Sequence, residues 1–283
     1  MIIQNIEQLR ALLPSINVRV DSHRLDDFIR RAQQWVTAKI IGTGIETALE
    51  QTPVTPDTHA DLRLLVQRVM ADKAYLLFAD EMNLQLGEAG MVVQNNEAMS
   101  VASNDRRNNL VESLQSRLDM DADALVDYLY INSATGGTYT AWRSSDQFQY
   151  LTLAFTPSLA ALRQAAPFDK KATHWEAFYD AMEQMANAVF DIAGPYCSQD
   201  EIVDLREAYR LGTITNVQIL AASNLRCVAA GMFFADKAYA KQAAIRARKV
   251  MLGHLTDFPT FANSPEKTLP EDNFDGGHLV NVL

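Results

Sequence analysis

The sequence predicts a mostly all-α protein made of two related helical-bundle units, with a short β-hairpin near their junction and an extended C-terminal tail. Only 12 Gly and 9 Pro occur in 283 residues, too few for a chain of many short strands and tight turns. Apolar residues recur at three- and four-residue steps over long stretches, which is typical of amphipathic helices. The length suits two domains of ordinary size.

The first half predicts a series of helices. Apolar spacing between Asp21 and Ile41 indicates one amphipathic helix, which Gly42 ends. A long buried helix is expected from about Asp57 to Leu86, stopped near Gly87. One or two more helices then continue to Asn132.

The periodicity is lost where Ser, Thr and Gly gather, in "SATGGTYTAWRSSD". The following "QFQYLTLAF", Gln147–Phe155, alternates like a short strand, and "TYTAW" before it could pair with it as a hairpin. We therefore interpret this stretch as the junction of two units. The predicted parts are an N-terminal helical unit, the junction, a second related helical unit and a tail: 1–132, 133–156, 157–257 and 258–283.

The second half repeats the order of the first. "IEQLRALLP" corresponds to "LAALRQAAP", the helix ending at Gly42 to one ending at Gly194, and Phe-Ala-Asp at 78–80 to the same tripeptide at 234–236. These ordered matches predict a tandem duplication, and the alternative is two unrelated bundles. The two aspartates of the tripeptides are either paired functional carboxylates or the points where a buried helix reaches the surface, and we favour the second interpretation.

The last stretch, 258–283, carries three prolines, two glycines and several acidic residues. A helix is not expected there. The segment is either a disordered tail or an arm that orders against a neighbouring subunit, and its apolar residues favour the arm.

Composition also limits the class of partner. The formal net charge of -10 argues against attraction to nucleic acid or to an anionic membrane. No window approaches the length of a membrane span, and the N-terminus lacks a basic leader, so we expect a cytoplasmic protein. Cys197 and Cys227 stand apart from metal or redox spacings and are expected to be reduced thiols.

No catalytic, cofactor-binding or metal-binding residue is predicted. The acids of "DMDADALVD" resemble a calcium loop, but Ala124 replaces its glycine and Tyr130 its bidentate glutamate, so we interpret them as acids at a helix N-terminus. "GTG" at 42–44 lacks a dinucleotide loop's context and is explained as a helix stop. The five histidines are scattered, three of them at expected helix starts: His23, His59, His174, His254 and His278.

The predicted helices of the first half resemble those of one known class of protein. "IEQLRALLP", "LDDFIRRAQQWVTAKIIG" and "LRLLVQRVMADKAYLLFADEMNLQLGEAGMVV" are similar to the small helical head-to-tail connector, or adaptor, proteins of tailed bacteriophages, and to uncharacterised proteins of Bacteroidetes phages and prophages. The resemblance covers about the first 130 residues and carries over no functional residue. It implies a subunit that assembles beneath a portal.

The leading hypothesis is therefore a non-enzymatic phage or prophage structural protein, a head-to-tail connector that becomes part of the virion on assembly. Its expected partners are a portal or tail-completion protein, other copies of itself, or both, without specific nucleic-acid binding. The alternative is a helical enzyme or small-molecule binder whose site lies between the two units. A third hypothesis is an adaptor that holds a peptide in a helical groove.

Overall fold

The chain forms two compact helical units, Met1–Gln147 (unit 1) and Phe148–Leu283 (unit 2). A computed structural model describes residues 2–3, 6–13, 22–51, 57–81, 85–87, 90–92, 104–134, 136–166 and 173–269. The predicted all-α class is confirmed, and the division between the units falls inside the stretch predicted as their junction. Within these ranges no helix has the length and apolarity that a bilayer crossing requires.

Unit 1 is organised around one central helix. Its helices are α1 (Ile6–Leu12), α2 (Ser22–Val36), α3 (Gly42–Glu50), α4 (Ala60–Glu81) and α5 (Asn104–Asn132), and α6 (Asp146–Leu151) crosses the boundary between the units. A π-helical turn, Thr37–Ile41, continues α2, and a 3₁₀ helix spans Thr140–Ser144. Strands β1 (Gln85–Gly87) and β2 (Gly90–Val92) pair antiparallel.

The core of unit 1 surrounds α4. This helix packs against α1, α2 and α5, and every residue from Val69 to Leu76 is buried. Phe28 of α2 meets Phe78 of α4 edge to face, with ring centroids 5.6 Å apart. The prediction of a long buried helix is confirmed, although α4 ends at Glu81, before the glycines expected to stop it.

Unit 2 is built around α11. Its helices are α7 (Leu159–Ala165), α8 (Trp175–Asp180), α9 (Met182–Cys197), α10 (Gln199–Leu211), α11 (Asn216–Phe233), α12 (Lys237–Gly253) and α13 (Pro259–Ala262), followed by a 3₁₀ helix at Pro265–Thr268. Helix α11 packs against α7, α9 and α12. At Gly231 a Cβ atom would lie 2.8 Å from the backbone nitrogen of Ala240, so α11 and α12 approach each other closely because Gly and Ala line their contact.

The predicted hairpin at the junction is wrong. "TYTAW" contributes to the 3₁₀ helix Thr140–Ser144, and the predicted strand Gln147–Phe155 contains most of α6. The buried residues Phe148, Leu151 and Thr152 follow helical spacing, which outweighs the weak alternation of the same stretch. Phe155, at φ 58°, then turns the chain out of any strand conformation.

The prediction that the C-terminal tail has no helix is wrong for residues 258–269, the part that the structure describes. Residues 258–269 form α13 and the 3₁₀ helix, and Phe258 and Phe261 are completely buried. Proline supports this helix because it stands at its first position, where no amide donor is needed. The remaining tail residues, 270–283, lie outside the described residues.

Two buried charges hold this segment to unit 2. The carboxylate of Glu201 accepts a hydrogen bond from the backbone amide of Phe261 at 2.7 Å. The guanidinium of Arg248 donates to the carbonyl oxygens of Glu266, Lys267 and Leu269, at 3.1, 3.3 and 2.7 Å. Glu201 therefore binds the beginning of the segment and Arg248 binds its end.

The two units share an order of packing but differ at their helix ends. In both, a short first helix packs on the central helix, which also contacts a preceding amphipathic helix and a following long helix. Gly42 ends the π-helical turn, whereas Gly194 lies inside α9; Asp80 belongs to α4, whereas Asp236 caps α12 by accepting the amide of Tyr239. The tandem duplication stays a prediction.

We expect the stability of unit 2 to depend on the protonation of Glu201. Burial raises the pKa of Glu201 from 4.5 to about 7, although the amide of Phe261 opposes the rise. The folded protein then retains a proton that the unfolded chain releases, so stability should fall as the pH rises from 4.5 to about 7 and level off above that. Urea unfolding at a series of pH values measures this.

Glu201→Gln should reduce this fall, because the amide oxygen of glutamine can still accept from Phe261 but does not titrate. The part that remains comes from Asp72 of α4, because burial also raises the pKa of that carboxyl group to about 7. Glu207→Gln, on the exposed side of α10, is the matched control and should keep the fall. A Glu201→Gln protein that loses as much stability over this pH range as the wild type would contradict the assignment.

Candidate functional site

A cleft of about 620 Å³ lies in unit 1, between α3 and the segment 138–147. We call it the α3 cleft. Most of its buried lining residues are apolar, whereas most of its exposed lining residues are polar or glycine. The buried apolar group consists of Ile41, Leu49, Leu62 and Trp142, and the exposed group includes Thr43, Gly44, Thr138, Ser144 and Asp146.

A glycine creates the turn at one wall of the cleft. Gly42 has φ 74°, a conformation that side chains with a Cβ rarely adopt, and its amide donates to the carbonyl of Thr37. A Cβ atom at this position would lie 2.7 Å from Oε1 of Gln147. The Nε2 atom of Gln147 donates to the carbonyl of Ala38 at 3.2 Å, so this side chain fastens α6 to the turn. The predicted helix stop at Gly42 is confirmed.

The indole of Trp142 joins the two walls. Its Nε1 atom donates to the backbone carbonyl of Ile40 at 2.7 Å, and the bond is buried. The carbonyl belongs to the π-helical turn, and the indole belongs to the 3₁₀ helix. Because both groups are buried, loss of the donor would leave a carbonyl without hydrogen-bonding solvent.

A histidine and a tyrosine supply the hydrogen-bonding groups of the cleft. His59 Nδ1 and the hydroxyl of Tyr139 lie 2.9 Å apart and form a hydrogen bond. Burial, followed by the neighbouring Tyr128, raises the pKa of Tyr139 to about 12, so the phenol stays protonated near neutral pH. The pair can therefore orient a polar group of a bound molecule, while the apolar residues below it contact the rest.

The turn before α4 keeps His59 in place. Asp57 accepts the backbone amide of His59 at 2.9 Å and the Nε of Arg63 at 3.1 Å. These bonds, with the amide as the main cause, lower the pKa of Asp57, so the acceptor remains ionised. The sequence placed His59 at a helix start, which is confirmed, but it gave no sign of the partner 80 residues away.

A second polar cluster lies between α4 and α5. Asp72 is fully buried and pairs with Arg117 at 3.3 Å, beside a cavity of about 300 Å³. Burial raises the pKa of Asp72 to about 7; Arg117 opposes this and Asp121 adds to it. Arg117 therefore offsets only part of the desolvation cost of this carboxylate, so the buried ion pair is not expected to stabilise the fold.

The acidic run of α5 lies elsewhere than predicted. We expected Asp119, Asp121, Asp123 and Asp127 at a helix N-terminus, but they occupy the middle of α5. Asp119 and Asp123 are buried, because their spacing places them on the side of α5 that faces the bundle. Across the described ranges, no three His, Cys, Asp or Glu side chains are close enough to share a metal ion.

The remaining predicted residues are dispersed. His23 lies in the first turn of α2 and His174 occupies the position just before α8, as expected for helix starts, and His254 follows α12. His278 lies outside the described residues. Both cysteines are free thiols; burial raises the pKa of Cys197, which lowers its reactivity.

Comparison with known protein families gives a match in the part of the chain that contains the α3 cleft. Residues 31–151 match a family of unknown function (DUF6712). No curated protein and no solved structure matches the chain. The matched segment covers less than half of the sequence, but it contains every residue that lines the α3 cleft.

We expect Trp142→Phe to destabilise unit 1 by about 1–3 kcal/mol, because the buried carbonyl of Ile40 loses its donor. Urea unfolding gives the free energy, and hydrogen exchange over 37–50 locates the change. Trp35→Phe is the control, since phenylalanine keeps an aromatic ring near the ammonium of Lys73, 5.2 Å from the Trp35 ring. Equal losses in the two variants would contradict a specific role for the Trp142 bond.

Proposed function

We propose that this protein is a non-enzymatic structural protein of a tailed phage or prophage, a head-to-tail connector or adaptor, and that a segment of its partner docks in the α3 cleft. The helical order of unit 1 and its resemblance to phage connectors support the class of protein. The expected partner is a portal or tail-completion protein.

The composition of the α3 cleft carries this proposal. Protein interfaces combine a buried apolar centre with a polar rim, and the cleft has buried Leu49, Leu62 and Trp142 beside exposed Thr43 and Ser144. An apolar side chain of a partner would fill the centre, while its backbone could reach the rim hydroxyls. The rigid helices on either side need little rearrangement, which lowers the ordering cost of binding.

Exposed apolar side chains on α5 add a second contact surface. Leu110, Met120 and Ile131 are 48%, 63% and 71% exposed, although large apolar groups gain free energy from burial. At helical spacing they fall within an arc of about 80° on one side of α5. They are ten and eleven residues apart, about 15 Å each along the helix, so each would make a separate apolar contact with an assembly partner.

A second candidate function, small-molecule binding, rests on the size of the same cleft. Ligand sites commonly enclose about 300–1,000 Å³ and combine apolar walls with a few polar groups. The α3 cleft has this size, and the His59–Tyr139 pair supplies the polar groups. The sequence had suggested a site between the units, whereas this cleft lies wholly within unit 1.

The cleft-filling variant Ala48→Trp tests the proposal. Ala48 lines the cleft, so an indole at this position should block it and abolish co-elution with the portal protein of the same genome. The control Thr47→Trp adds the same group at an exposed α3 residue outside the lining and should bind as the wild type does. Size-exclusion chromatography with light scattering measures the complexes, and circular dichroism verifies folding.

Two results would contradict the connector proposal. A wild-type protein that ignores the portal protein would overturn it. A compound that raises the melting temperature of the wild type but not of Ala48→Trp, without any portal binding, would favour the small-molecule candidate.

A further inference from the structure

Charge is unevenly distributed along this acidic chain. The 38 residues from 216 to 253, which form α11 and α12, contain six basic residues and one acidic residue, a net charge of +5. The remaining 245 residues contain 19 basic and 34 acidic residues, a net charge of -15. Arg248 is buried, but the other five basic side chains are at least partly accessible, so this helical pair presents positive charge to a partner of the opposite sign.

One side of α12, at the edge of its exposed face, alternates lysine with aliphatic residues. Lys241, Ile245, Lys249 and Leu252 follow one another at steps of four, four and three residues and lie within an arc of about 80°. Lys249 is exposed, and the other three are half-buried. Neither lysine forms an ion pair within the part of the chain that the structure describes. We call this row the basic stripe.

The accessible face of α10 has the same form with the opposite charge. Five of its exposed residues lie within an arc of about 100°, which we call the acidic stripe: Asp200, Val203, Asp204, Glu207 and Leu211. Gln199, the other exposed residue of α10, lies beside this arc. Val203 and Leu211 are 52% and 48% exposed. Glu207 also pairs with Arg210 of the same helix, and Asp204 accepts the hydroxyl of Thr260.

The two stripes complement each other in charge, in apolar content and in length. Each extends over 12 residues, or about 17 Å of helix. We propose that the acidic stripe of one copy of this chain binds the basic stripe of the next copy. Because the two surfaces differ, the contact is head-to-tail and leaves one free stripe at each end of the pair, which allows further copies to add.

Nucleic acid fits the basic stripe less well than a second copy does. A phosphate backbone would pair with Lys241 and Lys249 but would leave Ile245 and Leu252 without an apolar partner. The net charge of -10 also repels a polyanion. Val203 and Leu211 of a neighbouring acidic stripe supply both apolar area and the required charge.

This inference deepens the proposed function, since a connector must assemble, but it involves unit 2 and leaves the α3 cleft unused. Failure of self-association with intact portal binding would therefore refute the stripe contact alone. Failure of portal binding with intact self-association would refute the connector proposal alone.

Charge reversal on each stripe provides the test. In low salt, sedimentation velocity of the wild type should show association that increases with concentration and weakens as salt is added. Lys241→Glu/Lys249→Glu and Asp200→Lys/Glu207→Lys should each weaken self-association by at least ~10-fold. An equimolar mixture of the two variants should recover association, because the two intact stripes can pair with each other and so can the two reversed stripes.

The matched control is Lys237→Glu/Arg246→Glu, which makes the same charge change on α12 at positions flanking the stripe and should associate as the wild type does. Combining both reversals in one chain should restore association. A wild type that stays monomeric at high concentration in low salt, or stripe variants that associate normally, would overturn the proposal. So would duplex DNA binding that Lys241→Glu/Lys249→Glu abolishes while self-association persists.

Discussion

The hydrogen bond from the indole of Trp142 to the carbonyl of Ile40 is the contact on which the α3 cleft depends. Helix α2 continues as a π-helical turn that ends at Gly42, and α3 begins at the same residue. The carbonyl of Ile40 is buried, so without a donor from residues 138–147 it would lie away from hydrogen-bonding solvent. The indole donates to it, and Gln147 donates to the exposed carbonyl of Ala38, so these two bonds hold the π-helical turn as one wall of the α3 cleft.

The sequence predicted those features that local chemistry decides. Gly42 ended the first amphipathic helix as expected, because a positive φ favours glycine at a helix end, and continuous apolar residues marked α4 as the central helix. It could not predict the cleft, since Ile40 and Trp142 are 102 positions apart and His59 and Tyr139 are 80 apart. The false strand at Gln147–Phe155 arose because a short apolar run fits both periods, and only its burial against neighbouring helices decides between them.

The two units have different surfaces despite a similar order of packing. Unit 1 contains most of the family-matched segment and the α3 cleft. Unit 2 contains the two charged stripes and the C-terminal segment held by Glu201 and Arg248. If they arose by duplication, the helical cores were kept while the helix ends and exposed faces changed. Such divergence is expected, because core positions restrict volume and polarity more than surface positions do.

The charge of α11 and α12 also bears on how the whole molecule behaves in solution. An isoelectric point near 5.0 describes an average over all faces, and at neutral pH it predicts adsorption to a positively charged chromatography resin. The exposed lysine and arginine side chains of α12 would also hold the protein on a negatively charged resin in dilute buffer. Retention on both resins would identify this molecule as a macroscopic dipole rather than a uniformly acidic one.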